Sequence, residues 1–429
     1  MRAIRRAKLI TLFVSHSCRT MHPQLVIAAL AVCTCWWKLA AMPTKSIILA
    51  ACVVAALACG SHAEGDGGDC TVMWHPNATV LQYPQDLGIQ WSFSYDTQWW
   101  LGIFEDVTTP GRHLGVELSV LHSAPSNYCN DTSGVVLMFV GLSDSHTQTY
   151  TQTAVGLQLN ASSTLVSSTA VPYNVSLAST TNPLFRAGVE QVGPTPSTQR
   201  IFADHVPSWD AGFELNVNAQ KPIENVRMAD DGFLFDVLLY FMQVAQPNLD
   251  GTATIRTANE TIRGRGKVWL QHMFGSIPSF DKSVRSEMKH LVQPDSPEFA
   301  LVWTWQCAML DNGISLSLTD FTTGTLKYVN VVNTTTGANH EYKDSEFSVV
   351  LSDEWVSPKS GVSYARRSDV TIPAANIALT WITLVPDNEH FLPNVITYYE
   401  AASLVNGTVG GVPVTGTGYL EHKKPTAKF

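Results

Sequence analysis

The sequence predicts an all-β protein made of two tandem β-barrel or β-sandwich domains with few short helices. Short runs of β-branched and aromatic residues, such as Gly134-VVLMFVGL, are separated by clusters of Gly, Pro, Asn and Asp, which is typical of strands joined by turns. Apolar residues alternate with others in Leu114-GVELSVL and Ile314-SLSL, as expected for strands that bury one face. Helical spacing is convincing in one segment, whose apolar residues share a face: Phe280, Val284, Met288 and Leu291.

A weak internal repeat indicates that the two domains are related. The segments that begin at Trp99 and at Trp303 both run from an aromatic strand through a glycine-containing turn into an alternating strand. Two related β domains in tandem explain this repeat, and chance similarity between hairpins is the alternative. We place the boundary between residues 248 and 266, which gives an N-terminal domain over 64–257 and a C-terminal domain over 258–429.

The first 63 residues differ from the rest of the protein. They hold seven of the 27 Lys and Arg residues and none of the 36 Asp and Glu residues. Lys45, the apolar run up to Cys59 and the Ser61-His62-Ala63 site have the layout of a secretory signal peptide. Residues 1–41 carry a shorter apolar stretch, interpreted as an extension upstream of the true start at Met42 or, alternatively, as an unusual anchor. We therefore expect a secreted or secretory-pathway protein.

The sequence that follows residue 63 is strongly acidic. It keeps 20 basic and all 36 acidic residues, a formal charge of −16. No basic patch remains to bind nucleic acid or anionic lipid. The sequence has no CxxC, HExxH or acidic calcium loop, so we expect neither a metal nor a cofactor. The expected partner is a hydrophobic small molecule, without stable insertion of the mature protein into a membrane, and the oligomeric state stays open.

Covalent processing is expected in the secretory pathway. Oxidising conditions there allow a disulfide, and Cys70 with Cys129 is the expected pair because both flank strand-like segments of the first half. Cys307 lies in an apolar strand and is interpreted as a small buried hydrophobe. Asn-x-Ser/Thr sequons predict N-glycosylation of a eukaryotic protein. The sequons are at Asn77, Asn130, Asn160, Asn174, Asn259, Asn333 and Asn406.

Three motifs, in order along the sequence, resemble those of a known family. Gln98-Trp-Trp-Leu-Gly-Ile-Phe followed by Gly111-RHLGVELSVL is similar to the family's opening E-W-W-Y-F strand and G-x-x-x-G-x-x-L motif. Gly266-KVWLQHMFG resembles the family's middle motif, a strand with the pattern G-x-x-W-x-D-H-x-W-G. Tyr398-Tyr-Glu-Ala and Gly416-Thr-Gly-Tyr-Leu-Glu resemble the closing Y-W-E-G and G-x-G-Y-x-E motifs. The family is the carotenoid-hydratase/AttH superfamily, which includes fungal Diels–Alderases and secreted phytoalexin hydratases, and the resemblance implies two lipocalin-like domains.

The middle motif departs from the hydratase-like pattern at Gln271, where that pattern has Asp. Adding water to an alkene requires a proton donor, which a neutral amide is not, whereas an amide can hydrogen-bond a substrate carbonyl. A Diels–Alder reaction needs orientation of its partners and no proton transfer. The resemblance therefore implies a cofactor-independent cyclase of fungal secondary metabolism, a hetero-Diels–Alderase that joins a tropolone-derived quinone methide to a sesquiterpene alkene. The alternatives are a hydratase of a prenylated or terpenoid compound and a lipocalin-like carrier without catalytic activity.

The candidate site residues come from these motifs. Gln271 is expected to orient the substrate, and His272 to donate a hydrogen bond or act as a base near neutral pH. These two point to opposite faces of a strand, so at most one of them lines a given pocket. Glu117 faces either the pocket or solvent, with solvent favoured, and His272 or Glu117 would assist dehydration of the substrate. The residues expected to contact substrate are Trp100, Trp269, Phe274, Trp303, Trp305, Tyr399 and Glu400; each aromatic also has a plainer interpretation as barrel core.

Overall fold

The alternating runs form antiparallel strands throughout the computed structural model, which describes residues 95–123, 135–158, 163–168, 174–179, 184–192, 198–206, 211–218, 226–227, 233–234, 239–276, 302–321, 327–392 and 396–424. All of them lie in one compact unit, His75–Phe429. Within these ranges the helical residues form two short 3₁₀ turns, Asp344–Glu346 and Pro373–Ala375. No helix there is long and apolar enough to cross a membrane.

Several predictions from the sequence concern residues outside these ranges. They are the signal peptide over 1–63, the Cys70–Cys129 pair, the helical segment over 280–291 and the sequons at 77, 130 and 160. Of the other sequons, Asn259 and Asn406 are exposed, whereas Asn174 and Asn333 are half-buried. Glycosylation stays a prediction.

The strands are divided between two sheets. The first sheet contains β1 (Tyr95–Asp106), β2 (His113–Ser123), β3 (Val135–Asp144), β4 (Thr149–Gln158), β5 (Ser163–Ser168), β6 (Asn174–Ser179), β7 (Arg186–Gln191), β8 (Thr198–Val206), β9 (Ala211–Asn218), β10 (Val226–Arg227), β11 (Phe233–Leu234), β12 (Leu239–Arg256) and β13 (Thr261–Ser276). The second contains β14 (Trp303–Leu310), β15 (Ile314–Phe321), β16 (Lys327–Asn333), β17 (Ala338–Lys343), β18 (Ser348–Val356), β19 (Ser363–Ile372), β20 (Ile377–Thr383), β21 (Glu389–Leu392), β22 (Ile396–Val409) and β23 (Val412–Lys423).

The two sheets have the same plan. The first runs β4-β3-β2-β1-β13-β12-β9-β8-β7-β6-β5, with β10 and β11 paired to β12, and the second runs β17-β16-β15-β14-β23-β22-β20-β19-β18, with β21 paired to β22. In each, the first strand lies between the second and the last, which curls the sheet into a half-barrel. The hairpins that begin near Trp99 and at Trp303 occupy equivalent places, β1–β2 and β14–β15. The all-β prediction is confirmed.

The change from one sheet to the other comes later than the sequence predicted. The predicted division between residues 257 and 258 falls in the turn of the β12–β13 hairpin, and β13 pairs with β1 along its length. The strand that contains GKVWLQHMFG therefore closes the first sheet instead of opening the second. The second sheet begins at Trp303.

Each sheet encloses its own apolar core, and a third cluster joins the sheets. Trp100 and Phe104 lie in the first core, and Leu316 and Trp381 in the second. The inter-sheet cluster is formed by residues that alternate with core residues, as Leu101 does with Trp100 in β1 and Cys307 with Ala308 in β14. It comprises Leu101, Ile103, Trp269, Trp305, Cys307, Met309, Tyr328, Val332, Ala402 and Tyr419. Cys307 is a fully buried thiol in this cluster, as its apolar strand predicted.

Backbone groups also connect the two sheets. The Tyr419 hydroxyl of β23 lies 3.1 Å from the carbonyl oxygen of Gly102 and 3.0 Å from that of Val116, so it donates into the space between β1 and β2. A Cβ atom at Gly115 would lie 2.3 Å from the Cβ of Ala402 in β22. This is shorter than any stable contact between carbons, so the close approach of β2 to β22 depends on glycine.

We expect Gly115→Ala to destabilise the protein by about 1–3 kcal/mol, because the new methyl group overpacks the contact between the sheets. Ala402→Gly introduced into the same protein removes the Cβ atom that the new methyl group would overlap. It should therefore recover part of the lost stability. Urea denaturation of the two single variants and the double variant measures this coupling. Additive effects of the two substitutions would contradict the contact.

Candidate active site between the two sheets

Glu117 is buried in the contact between the sheets. It lies on β2 two residues from Gly115 and therefore on the face that meets β22, and only 2 % of it is exposed. The alternation along its strand favoured a solvent-facing side chain. That preference was wrong, because the second sheet covers the face of β2 that would otherwise be exposed.

Glu117 forms one hydrogen-bonded unit with three side chains from other strands. Its Oε2 atom lies 2.6 Å from Nε2 of His390 in β21, and its Oε1 atom accepts a 3.2 Å hydrogen bond from the Tyr398 hydroxyl in β22. The Tyr150 hydroxyl of β4 lies 2.5 Å from the same Nε2 atom. The Nδ1 atom of His390 is buried and has no hydrogen-bond partner among the described residues. A histidine held at one nitrogen by a carboxylate, with the other nitrogen free, has the arrangement of a general base.

Aromatic packing fixes the orientation of the His390 ring. It stacks on Tyr398 with ring centroids 4.6 Å apart and an interplanar angle of 8°. The rings of Phe139 and Tyr150 meet it edge-on, each at 5.6 Å. Gly141 gives this group room, since a Cβ atom there would lie 3.1 Å from both the Glu117 carboxylate and the Tyr150 hydroxyl. The ring is therefore held before any substrate binds.

Two further carboxyl groups lie on the same face of the second sheet. Glu400 in β22 is two residues from Tyr398 and directly opposite Glu421 in β23, a register that brings Cβ atoms to about 5 Å. Glu421 Oε1 accepts a 2.7 Å hydrogen bond from Nε1 of Trp303. Glu400 is 2 % exposed, yet neither of its carboxyl oxygens has a partner within the described ranges. A buried polar group of this kind in a native protein calls for a functional explanation.

The electrostatic surroundings keep Glu400 neutral. Burial raises the pKa of Glu400 well above its ordinary value, and the negative charges of Glu421 and Glu117 raise it further. Burial also raises the pKa of Glu421 to about 8, while the hydrogen bond from Trp303 acts in the opposite direction. Glu400 is therefore a carboxylic acid at neutral pH, able to donate a proton. Burial and nearby carboxylates likewise raise the pKa of Tyr150 and of Tyr398, so both remain phenols.

We expect the free energy of unfolding to decrease as the pH rises from about 4.5 to about 8. Glu421 ionises near 4.5 in the unfolded protein and near 8 in the folded protein, so the folded state binds more protons in this window and loses stability with rising pH. One such group contributes about 1.4 kcal/mol per pH unit. Glu421→Gln should flatten the dependence measured by urea denaturation, whereas the same change at the exposed Glu354 should not. An unchanged slope in Glu421→Gln would contradict the assignment.

Two of the predicted residues of β13 face the second sheet. Gln271 and Trp269 are both buried, and Nε1 of Trp269 donates a 3.3 Å hydrogen bond to Oε1 of Gln271. Trp269 meets Trp305 edge-on with ring centroids 6.0 Å apart. In register, Gln271 lies opposite Trp99 of β1. Phe274 belongs to the same strand, but its side chain lies outside what the structure describes.

Other predicted residues lie elsewhere. His272 faces the interior of the first sheet, with its Nε2 atom 2.9 Å from Oδ2 of Asp96. Trp100 also points into the first core, and Tyr399 stacks on Tyr364 on the inner face of the second sheet. The structure therefore does not bring His272, Trp100 or Tyr399 together with Glu117. The reason is the alternation of side chains along each strand, which puts neighbours on opposite faces.

His390, Tyr398, Tyr150 and Glu421 were not among the site residues predicted from the sequence. Tyr398 stands in the closing motif beside the predicted Tyr399, so an assignment of strand faces would have found it. His390 belongs to the short polar run Asp387-Asn-Glu-His, whose burial no local pattern indicates. It contacts Glu117, although the two residues are 273 positions apart in the sequence.

The sequence matches a family model over residues 75–423, which covers both sheets and every residue of the site described above. The chain belongs to the AttH-like family. No curated protein shows significant sequence similarity to it.

Two solved structures share the fold of this AttH-like protein. An AttH candidate from Nitrosomonas europaea has 19 % identity and a TM-score of 0.59, over 81 % of this chain and 97 % of that one. Kievitone hydratase from Nectria haematococca has 13 % identity and a TM-score of 0.57, over 81 % of this chain and 94 % of that one. These similarities confirm the lipocalin-like architecture of the AttH-like fold.

The site of this AttH-like protein combines an acid and a base. Glu400 offers a proton, and the Glu117–His390 pair can accept one at Nδ1. Tyr150 supplies a hydroxyl group beside His390, and Tyr398 supplies one beside Glu117. Within the described part of the protein, no group of His, Cys, Asp or Glu side chains has an arrangement suited to a metal ion. The carboxylic acid, the histidine–carboxylate pair and the two hydroxyl groups together suit proton transfer to and from a bound organic molecule.

Proposed function

We propose that this protein is a cofactor-independent acid–base enzyme that adds water to, or removes water from, an unsaturated apolar small molecule. The observation that carries this proposal is Glu400, a buried and unpaired carboxylic acid on the same face as the Glu117–His390 pair. The sequence argument against a hydratase depended on Gln271. Glu400 supplies the carboxylic acid that Gln271 cannot.

Hydration in this site takes two proton transfers. The Glu400 carboxyl protonates one carbon of the alkene, and the cation that forms is attacked by a water molecule at the neighbouring carbon. His390 Nδ1 accepts the proton that this water loses, and Glu117 stabilises the resulting imidazolium. The proton then returns from His390 to Glu400 through solvent, which restores both groups. Dehydration follows the same steps in reverse, with Glu400 receiving a proton from the substrate.

A second candidate function is the hetero-Diels–Alder reaction that the family resemblance implies. Loss of water from a hydroxymethyl-tropolone would use the same acid and base and yield the quinone methide. The observation in its favour is the aromatic character of the face beside the acid–base groups, where Trp269 and Trp305 pack together and Trp99 and Trp303 are half-buried. Such side chains suit stacking and orientation of two apolar partners.

For either reaction we expect Gln271→Ala to reduce turnover by only about threefold to tenfold. The amide provides at most a neutral hydrogen bond, worth about 0.5–1.5 kcal/mol, and in the free protein Trp269 donates to its oxygen. Trp269→Ala should cost more, because it removes a large apolar surface as well. Product formation by purified, folded variants measures this, and a loss of more than about 100-fold in Gln271→Ala would make Gln271 part of the proton-transfer chemistry.

The proposal is tested with purified protein and two sets of probes. The first contains kievitone, the compound in the name of the structurally similar hydratase, together with a series of prenylated phenols; the second contains a hydroxymethyl-tropolone and a sesquiterpene alkene. Reactions run in ¹⁸O-labelled water are followed by mass spectrometry. A labelled water adduct or loss of water supports the acid–base enzyme, and a cycloadduct adds the second function. Binding of a probe without any conversion would favour a carrier without catalytic activity and would overturn the proposal. Action in the secretory pathway remains a prediction.

A further inference from the structure

Glu400 and Glu421 have unequal hydrogen bonding although they face each other in register. Glu421 accepts from the Trp303 indole at 2.7 Å, and the next basic residue on its strand, Lys423, favours its charged form. Glu400 receives no hydrogen bond from any described residue. Two carboxyl groups at this separation do not both ionise readily, so one proton is retained by the pair.

The unequal surroundings decide which carboxyl keeps the proton. A hydrogen bond donated to a carboxylate stabilises its ionised form, whereas a carboxylate without donors in a buried site is strongly disfavoured. We propose that Trp303 and Glu421 act as a positioning pair that holds the proton on Glu400. Trp303 makes Glu421 the first of the two acids to ionise, and above about pH 8 the charge of Glu421 then prevents Glu400 from ionising. In this assignment Trp303 acts through Glu421 and needs no contact with substrate.

None of the other charged or titratable groups described around Glu400 favours its ionised form. Glu117 approaches from β2 and adds a second negative charge, while Tyr150, Tyr398 and Tyr419 are neutral phenols. His390 is engaged at Nε2 by Glu117, and the buried Cys307 is kept as a neutral thiol because burial raises its pKa. Lys423 favours ionised Glu421, and its ammonium group donates to the carbonyl oxygen of Thr397 at 2.8 Å. The Trp303–Glu421 bond is thus the larger of the two influences that favour ionised Glu421, and Lys423 is the smaller.

The proposal makes Glu400 a proton donor over the pH range in which Glu421 is ionised. Its catalytic meaning rests on the proposed function, but the location of the proton does not. It can be measured on the protein without substrate by infrared spectroscopy, because a protonated carboxyl absorbs separately from a carboxylate. Glu400→Gln identifies the band that belongs to Glu400.

We expect the Glu400 band to persist above about pH 8 in the native protein, where Glu421 is ionised and one proton remains on the pair. In Glu421→Gln it should titrate at a pH lower by about one unit or more, because the neighbouring charge is gone. In Trp303→Phe, measured at the same pH above about 8, the remaining proton should spread over both acids, with the ratio of the two protonated forms changed by about tenfold or more. The Glu400 band then loses intensity, and a second band appears that belongs to protonated Glu421. This second band should remain when Glu400→Gln is added to Trp303→Phe.

Trp305→Phe is the matched control. Trp305 lies two residues along the same strand and face, but its indole donates to the Ser317 hydroxyl at 3.1 Å and not to a carboxylate. Its spectrum should match that of the native protein, with thermal melts confirming that each variant is folded. Equal spectra of Trp303→Phe and Trp305→Phe, or an unshifted Glu400 titration in Glu421→Gln, would overturn the proposal. If turnover does not depend on Glu400 while the spectra behave as expected, the proposed function fails and the proton assignment stands.

Discussion

Replacement of Glu400 by Gln is expected to reduce turnover by about 100-fold or more, the lower range of general acid catalysis. The amide keeps the size of the side chain but has no proton to give to carbon. The free energy of unfolding at pH 8 should not decrease, because the native carboxyl is held neutral at the expense of stability in that range. Initial rates and urea denaturation of the same preparations test both statements.

The control for this variant is Glu389→Gln. Glu389 is also fully buried, but it accepts hydrogen bonds from the hydroxyl groups of Ser357, Ser360 and Tyr364. Its replacement should therefore mainly lower stability. If Glu400→Gln instead unfolds the protein and retains turnover in its folded fraction, Glu400 is a structural residue.

The second large effect is expected for Glu117→Gln, with a loss of about 100-fold to 10,000-fold in turnover. The amide cannot stabilise a positive charge on His390, and it offers the wrong hydrogen-bonding group to one of the two partners of the carboxylate. His390→Gln should cause a loss of similar size, because it removes the base itself.

The double variant Glu117→Gln/His390→Gln distinguishes a joint role from two separate ones. Residues that act as a unit give non-additive losses, so the double variant should be little worse than either single variant. Multiplied losses would show that Glu117 and His390 serve different steps. Tyr399→Phe is a control, since this hydroxyl donates to the carbonyl oxygen of Pro386 outside the site.

The fold could be predicted from the sequence because alternation is a local property. Leu114-GVELSVL and Ile314-SLSL both form the strands that their apolar positions predicted. The position of the sheet boundary could not be predicted in this way, because the pairing of β13 with β1 joins residues far apart in the sequence. Nothing in GKVWLQHMFG itself indicates whether that strand closes one sheet or opens the next.

The candidate site could be predicted from the sequence only in part, for the same reason. The motifs pointed to Glu117 and Glu400 among others, and both lie in the contact between the sheets. The faces of their strands were harder to assign, because polar residues that alternate with apolar ones look alike whether solvent or a second sheet covers them. His390 came from a short strand without any motif, so only the packing of β21 against β2 and β4 reveals it.

The contact at Gly115 and Ala402 has a consequence for the origin of the proposed activity. The orienting carboxylate, Glu117, belongs to the first sheet, whereas the base and the acid, His390 and Glu400, belong to the second. If the two half-barrels descend from one duplicated ancestor, neither copy carried this chemistry by itself. The proposed catalysis then arose with the docking of one copy against the other, and that docking depends on the absence of a side chain at position 115.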